Sequence, residues 1–287
     1  MIQSHGLDFL ITNGLIKNAA VLAKHDPSLT NRYKHNPYNK EIFKTNLFPV
    51  VEMSLVSSGK IRKRTSRMTF FDRVVFMRVI RRLIDAPGDP NWYGRMVGHH
   101  SNMSHNMHGM NSVGEQRFLP WHRVYLLNLE RRGKKIDKRF FIPYWDWTRD
   151  RSIPSWITNY RPTVKVTGTD IVVRRNPGSS NNLPTSSQIN TILGRTTFTS
   201  FTRDLEREPH NFVHGWVNGT MSFINIAPAD PLFWMHHAQI DRLWSIWQAN
   251  HPNQNPTLNG SDRIMDPWST TESQVRSISA LGYSYGP

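Results

Sequence analysis

The sequence predicts a mainly α-helical domain with small peripheral β elements and long loops, and three observations support this fold class. Apolar side chains recur at helical spacing in several segments, and N-cap residues or prolines stand where those segments begin. In one short segment apolar and polar residues alternate, as they do in the strands of a β-hairpin, and Pro, Ser and Asn are concentrated between the regular segments. With 287 residues, of which 38% are apolar, the chain is long enough for a sizeable core.

Composition excludes several classes of function. The chain has no cysteine, so it has neither a disulfide framework nor a thiolate ligand. Its formal charge of +15 suggests a nucleic-acid partner, but the densest basic run, residues 60–67, accompanies no nucleic-acid-binding motif. No apolar run reaches the length of a membrane span, and residues 1–10 lack the pattern of a signal peptide. We therefore expect no nucleic acid and no membrane as partner, and the compartment, cytoplasmic or secreted after processing, stays open.

The chain is predicted to divide at about residue 60. Residues 1–60 are expected to form an N-terminal extension that packs on or precedes the core, with a short helix over residues 8–24. Residues 61–287 form the main domain. Its first helix is predicted over residues 69–84, where a capping box precedes an apolar stripe and a proline-rich run ends the helix.

Two further helices are predicted over residues 91–103 and 120–132. Pro120 is placed in the first turn of the second one because proline lacks the N–H that a helix interior needs, and Gly133 is expected to close that helix. The polar run at residues 105–109 breaks regular structure between them.

The second half of the main domain begins with less regular segments. Residues 140–150 are predicted to form an irregular segment rich in aromatic residues, and residues 163–174 a β-hairpin. A loop is predicted over residues 176–188 and a short helix over residues 209–215. Asp230 followed by Pro231 is typical of an N-cap and a first helical residue, which predicts the last helix over residues 231–249.

Histidines form two groups at spacings suited to a metal. His210 and His214 are four residues apart, so both rings lie on one helix face, and His237 follows on the last helix. The other group lies upstream and consists of His99, His100, His105, His108 and His122. Imidazole ligands suit copper, zinc or iron, and the zinc-protease pattern is disfavoured because no glutamate follows the first histidine of the pair.

Three motifs resemble the copper-binding signatures of the tyrosinase family. They are Arg-Phe-Leu-Pro-Trp-His-Arg at residues 117–123, Pro-Tyr-Trp-Asp-Trp at 143–147 and Asp-Pro-Leu-Phe-Trp-Met-His-His-Ala-Gln-Ile-Asp at 230–241. The resemblance, to the short bacterial type, covers residues 62–285, and residues 283–285 are similar to the tyrosine pair that closes the family's catalytic domain. It implies that residues 61–287 are a catalytic domain whose central four-helix bundle holds two copper ions, with no shielding domain after it.

The resemblance implies three histidine ligands for each copper ion. The ligands of the first copper are His100, His108 and His122. The ligands of the second copper are His210, His214 and His237. An ungapped match over residues 93–100 selects His100 over His99, and His105 is the next competitor. His236 corresponds to a histidine that packs beside the ligands without binding metal.

Two further matches concern proton transfer. Glu206 resembles the family's glutamate that holds an ordered water, and Asn211 follows the first ligand of the second copper as in members that hydroxylate phenols. A carboxylate and an amide can orient one water near a cationic metal pair, where phenolate is favoured over phenol. The alternative for Glu206 is a surface acid paired with Arg203 or Arg207.

The implied activity is that of an oxidase that binds O2 as a bridging peroxide, hydroxylates monophenols to o-diphenols and oxidises these to o-quinones. Phenols and catechols are the expected substrates, and Ile226 is the expected gate residue above the copper pair. The alternatives are a catechol or o-aminophenol oxidase without monophenolase activity, which Asn211 argues against, and a haemocyanin-like O2 carrier. The natural phenol, the oligomeric state and a copper-delivery accessory protein are left open.

Overall fold

The computed structural model describes residues 61–287, in which residues 61–154 and 161–287 form one compact unit. The predictions for residues 1–60, an N-terminal extension and a helix over residues 8–24, lie outside the described part. Within the described part, no helix is both long enough and apolar enough to cross a bilayer.

The described fold is mainly helical, as predicted. Its helices are α1 Phe70–Ile84, α2 Trp92–Ser101, α3 Ser112–Lys134, α4 Ser186–Leu193, α5 Phe198–Leu205, α6 Asn211–Val217 and α7 Pro231–Asn250. Its strands are β1 Ile61–Arg62, β2 Thr163–Val166, β3 Thr169–Val172 and β4 Ser284–Tyr285. Strand β1 pairs in parallel with β4, and β2 and β3 form the predicted antiparallel hairpin, with Val164 opposite Ile171.

Two helices begin where their capping residues predict. At α1, the Thr69 hydroxyl accepts from the Asp72 N–H at 3.1 Å and the Asp72 carboxylate accepts from the Thr69 N–H at 2.8 Å. At α7, the Asp230 carboxylate accepts from the Leu232 N–H at 2.9 Å, and Pro231 occupies the first turn. These contacts satisfy N–H groups that have no partner within the helix.

The prediction that Pro120 starts a helix is wrong. Helix α3 begins at Ser112, where the Asn111 side chain accepts from the Gly114 N–H at 2.9 Å, and Pro120 lies inside it. Residues 114–127 of this helix are buried throughout. Burial of so many side chains offsets the hydrogen bond that an interior proline removes, which costs about 3 kcal/mol or more. Gly133 likewise lies within α3 rather than beyond its end.

Three other boundaries differ from the prediction for local reasons. Helix α2 ends at Ser101 rather than residue 103, because the Asn102 side chain accepts from the Ser104 N–H and begins a separate 3-10 turn. Helix α4 begins inside the predicted loop, where Thr185 and Gln188 form a capping box. The segment around residue 209 starts with a π-helical turn, Glu206–His210, before α6; this turn contains a proline, which cannot donate the usual α-helical bond.

Helices α1, α2, α3 and α7 pack together as the predicted four-helix bundle, and α7 packs against α3 and α2. Every residue from 231 to 241 is buried, so this part of α7 is covered on all sides. Aromatic rings fill the space between helices: Tyr125 of α3 lies 4.5 Å from Trp234 of α7, measured between ring centroids, and Tyr93 of α2 lies 6.1 Å from Trp234. Such packing fixes the helix backbones that carry the histidines.

A buried ion network joins both ends of the described chain to the bundle. Arg62 of β1 pairs with Glu130 of α3 at 2.7 Å and with Asp241 of α7 at 3.2 Å. Tyr283 and Tyr285 both donate to the same Asp241 oxygen, at 2.7 and 2.5 Å. Although burial raises the pKa of Asp241, the neighbouring Arg123 and Arg62 hold it below its usual value. The carboxylate is therefore ionised at neutral pH.

Candidate metal centre

One cluster of histidines is built from three segments. His100 lies in α2, His108 in the loop before α3, and His122 in α3; one ring nitrogen from each lies within 4.8 Å of the others. The Nε2 atoms of His100 and His122 are 3.3 Å apart. In the described part of the chain, His108 Nε2 is buried with no hydrogen-bond partner, as expected for a nitrogen that binds a metal ion.

Backbone carbonyls fix the orientation of two of these rings. His100 Nδ1 lies 2.8 Å from the Ile224 carbonyl oxygen, and His122 Nδ1 lies 2.8 Å from the Phe118 carbonyl oxygen. Because a carbonyl oxygen only accepts, Nδ1 must carry the proton in both rings. The Nε2 lone pair is then free to bind a metal.

A second cluster contains His210, His214 and His237. The Nε2 atom of His237 lies 3.3 Å from the Nε2 atoms of both His210 and His214. His214 Nδ1 donates to the Met221 carbonyl at 2.8 Å, and His210 Nδ1 donates to the Asn211 side-chain oxygen at 3.0 Å. As in the first cluster, these contacts leave Nε2 as the available nitrogen.

His236 also reaches this second cluster, since one of its nitrogens lies within 4.8 Å of those of His210 and His214. However, the Trp147 indole N–H donates to His236 Nδ1 at 3.2 Å. Nδ1 is therefore an acceptor, and the neutral ring keeps its proton on Nε2, where no lone pair remains for a metal. His236 instead stacks on His210, with ring centroids 5.3 Å apart and planes at 14°. This geometry favours His237 over His236 as a ligand.

The two clusters face each other across one buried site. The rings of His122 and His237 stack with centroids 4.4 Å apart and planes at 15°, so the clusters are in direct contact. Phe233 packs on His237 at 4.0 Å and meets His100 at 5.0 Å. Sequence reasoning missed this contact, although Phe233 lies one helical turn before His237 and the two must share a face of α7.

The protonation of the rings suits metal binding. Burial, partly opposed by the hydrogen bond to the Met221 carbonyl, lowers the pKa of His214 to about 4. Burial, reinforced by neighbouring imidazoles, also lowers the pKa values of His100, His122, His210 and His237 well below the usual value. These rings are therefore neutral at pH 7, which is the form that binds metal. Two facing clusters of imidazoles, without thiolate or carboxylate ligands, fit a pair of copper ions.

His99 and His105, the competitors of His100, lie apart from both clusters. The His105 Nδ1 atom pairs with the Asp266 carboxylate, and its ring stacks with that of Trp121. His99 makes edge contacts with the rings of His105 and Trp268. Of the two histidines at the end of α2, His99 and His100, His100 alone reaches the first cluster.

Glu206 and Asn211 lie directly beside the clusters. Glu206 is 5% exposed; its Oε1 lies 3.4 Å from His108 Nδ1, and both of its oxygens accept from the Gly109 N–H at 3.0 Å. The alternative of a surface acid is wrong, because Arg203 and Arg207 pair with Glu115 instead, at 3.0 and 3.1 Å.

The segment that follows α6 contacts both clusters through its backbone. The Met221 carbonyl accepts from His214 Nδ1 and the Ile224 carbonyl accepts from His100 Nδ1, so this segment lies against both clusters. Phe223 and Ile224 are exposed, whereas Ile226 is half-buried and lines a cavity of about 510 Å³ with Ser101 and Ile171. The gate role of Ile226 stays a prediction.

Comparison with known proteins identifies this arrangement. The sequence profile of the tyrosinase family, described as the common central domain of tyrosinase, matches residues 90–179 and 155–250. Together these matches span more than half of the 287 residues and include all six converging histidines. The chain belongs to the tyrosinase family. This tyrosinase-family chain is thus a type-3 copper oxidoreductase with a binuclear copper centre as its cofactor, and the family acts on phenolic substrates.

Individual relatives agree with this assignment. A tyrosinase from Streptomyces antibioticus is 32% identical over 200 residues, which are 54% of this chain and 73% of the relative. Among solved structures, a functional unit of octopus haemocyanin superposes with a TM-score of 0.66 at 23% identity, over 79% of this chain and 68% of the other. A tyrosinase from Burkholderia thailandensis superposes with a TM-score of 0.60 at 18% identity, over 79% and 73%. At these identities, the two structures establish the shared fold alone.

Proposed function

We propose that this enzyme hydroxylates monophenols ortho to their hydroxyl and oxidises o-diphenols to o-quinones at a copper pair. The proposed ligands of the two ions are His100, His108, His122 and His210, His214, His237. One observation carries this proposal: two clusters of three imidazoles face each other, with the His122 and His237 ring centroids 4.4 Å apart. When bound, the copper pair supplies the oxygen-activating and redox chemistry, and the protein orients the substrate and handles its proton.

The phenol is proposed to approach from the side of His214. This histidine is half-buried, whereas the other proposed ligands are buried. Exposed apolar side chains lie nearby in the chain: Phe212 is 47% exposed and Phe223 is 58% exposed. An aromatic substrate gains from contact with such exposed rings, and the buried Phe233, packed on His237, keeps the surroundings of this ligand apolar. A copper-delivery protein, if one serves this enzyme, is proposed to dock on the same side.

Glu206 and Asn211 are proposed to take up the phenol proton through one water molecule. Asn211 is exposed and its side-chain oxygen accepts from His210 Nδ1 at 3.0 Å, so its NH2 group is directed to donate elsewhere. Glu206 carries lone pairs beyond those used by the Gly109 N–H. Deprotonation produces phenolate, the form attracted to a cationic metal pair. By this proposal, these two residues allow the enzyme to hydroxylate phenols rather than only oxidise diphenols.

Oxygen uptake with matched substrates tests the proposal. The copper-loaded full chain is given a monophenol and the corresponding catechol in parallel, and turnover of both is expected, with a lag for the monophenol. Turnover of the catechol alone would replace the proposal by a catechol or o-aminophenol oxidase. Reversible O2 binding without turnover of either substrate would replace it by an O2 carrier.

A further inference from the structure

His108 differs from the other proposed ligands in the backbone that carries it. His100, His122, His214 and His237 lie in helices, and His210 lies at the junction of the π-helical turn and α6. His108 lies in the irregular loop between the 3-10 turn Met103–His105 and α3. Its orientation therefore depends on tertiary contacts rather than on a helix backbone.

The partner of His108 Nδ1 is also different. In the described part of the chain, Nδ1 of His100, His122 and His214 donates to a backbone carbonyl, and Nδ1 of His210 donates to the Asn211 amide oxygen. All of these partners are neutral oxygens. Nδ1 of His108 instead faces the Glu206 carboxylate, 3.4 Å from Oε1. A carboxylate fixes the Nδ1–H tautomer and makes the imidazole a stronger donor to a metal.

Gly109 holds this carboxylate in place. Its N–H lies 3.0 Å from both Glu206 oxygens, so Glu206 is bound at once to the ring of His108 and to the backbone of the next residue. A Cβ atom at Gly109 would lie 2.6 Å from Glu206 Oε2. The close approach requires a residue without a side chain, and any side chain there must push the carboxylate away.

We infer that Glu206 is a positioning residue for the first copper site: with the Gly109 N–H as its anchor, it orients His108 and strengthens it as a ligand. This inference rests on the ligand assignment of the proposed function and adds to the proton-transfer role given to Glu206 there. It predicts that Glu206 affects copper binding itself, before any phenol is present. Loss of such an outer carboxylate weakens metal binding about 10- to 100-fold.

Copper affinity, measured by competition with a chelator, tests this inference without reference to activity. In a His237→Ala background, the remaining copper occupies the first site, so Glu206→Gln and Glu206→Leu report on that site alone. We expect about 10- to 100-fold weaker binding for Glu206→Leu and a smaller loss for Glu206→Gln, whose amide oxygen still accepts from His108. In a His122→Ala background, where only the second site is complete, both changes should leave the affinity unaltered.

Gly109→Ala provides an independent variant because it displaces the carboxylate without removing its charge. Its matched control is Gly215→Ala, which also follows a proposed ligand but places the new Cβ in open space. Gly109→Ala should weaken the first site, and Gly215→Ala should not. Far-UV circular dichroism and retention of the second copper establish that each variant is folded.

Two results would overturn the inference: first-site affinity within about twofold of the parent for both Glu206→Leu and Gly109→Ala, or equal weakening of both sites. If the single-site backgrounds held no copper while the unmodified chain held two ions, the Glu206 changes would be compared in the unmodified chain, where copper released to the chelator no faster than from the parent overturns the inference. If the unmodified chain bound no copper, the ligand assignment of the proposed function would fail instead.

Discussion

The Arg123 guanidinium donates to the Asp241 carboxylate at 2.5 Å, and both side chains are buried. Arg123 follows His122 in α3, and Asp241 lies one helical turn past His237 in α7. This ion pair therefore joins the two helices whose histidines stack face to face. Through Arg62, Tyr283 and Tyr285, the same carboxylate also holds both ends of the described chain.

Replacement of Asp241 by Asn is expected to destabilise the fold strongly. The substitution preserves shape but leaves the buried Arg62 and Arg123 without their shared anion, and loss of one partner of a buried pair costs about 3–5 kcal/mol. The free energy of unfolding, from chemical denaturation of the metal-free protein, measures this loss. Asp204→Asn is the control, because its pair with Arg195 is partly exposed and contributes about 1 kcal/mol or less. Equal effects of the two substitutions would contradict the prediction.

Only one of two adjacent histidines should affect metal content. His237→Gln removes an Nε2 atom that lies 3.3 Å from two other ligand nitrogens, so the copper content is expected to fall from about two ions per chain to about one. His236→Gln keeps an acceptor for the Trp147 N–H and is expected to leave the content unchanged. Metal analysis of both purified variants decides this, and the reverse pattern would make His236 the ligand.

The metal-free protein should lose stability as the pH falls from about 6.5 towards 4. In the unfolded chain a histidine takes up a proton near pH 6.5, whereas the folded chain resists this because burial lowers the pKa of His214 to about 4. The unfolded state then binds more protons in this window, so the free energy of unfolding decreases with falling pH. Thermal melts across pH 4–8 measure the effect. A flat profile would show that these rings are not held neutral.

Asn211 should matter for monophenols more than for catechols. Asn211→Ala removes the amide that is proposed to orient the proton-accepting water, and proton-transfer groups contribute on the order of 100-fold or more in rate. We expect oxygen uptake with a monophenol to fall on that scale while oxidation of the matching catechol changes by a few fold. Asn190→Ala, an exposed position on α4, is the control. Equal losses on both substrates would assign Asn211 to the orientation of His210 instead.

The sequence was sufficient for the parts of this protein that depend on local signals. The capping box at Thr69 and the Asp-Pro pair at residues 230–231 mark helix starts because their hydrogen bonds involve neighbours three residues away or fewer. The four-residue spacing of His210 and His214 places both rings on one face for the same reason. Together with the family motifs, these signals predicted the helical bundle and the histidines that converge.

Tertiary structure decided the features that depend on distant contacts. Pro120 lies inside α3 because burial of the surrounding helix outweighs a local preference, and no local pattern contains that information. The family motif already favoured His237 over His236, but the physical reason, a Trp147 N–H that occupies His236 Nδ1, comes from 89 residues away in the chain. The contact between Glu206 and His108 spans 98 residues. Periodicity and spacing describe neighbours along the chain, whereas the protonated nitrogen of a histidine is set by whichever group folding brings beside it.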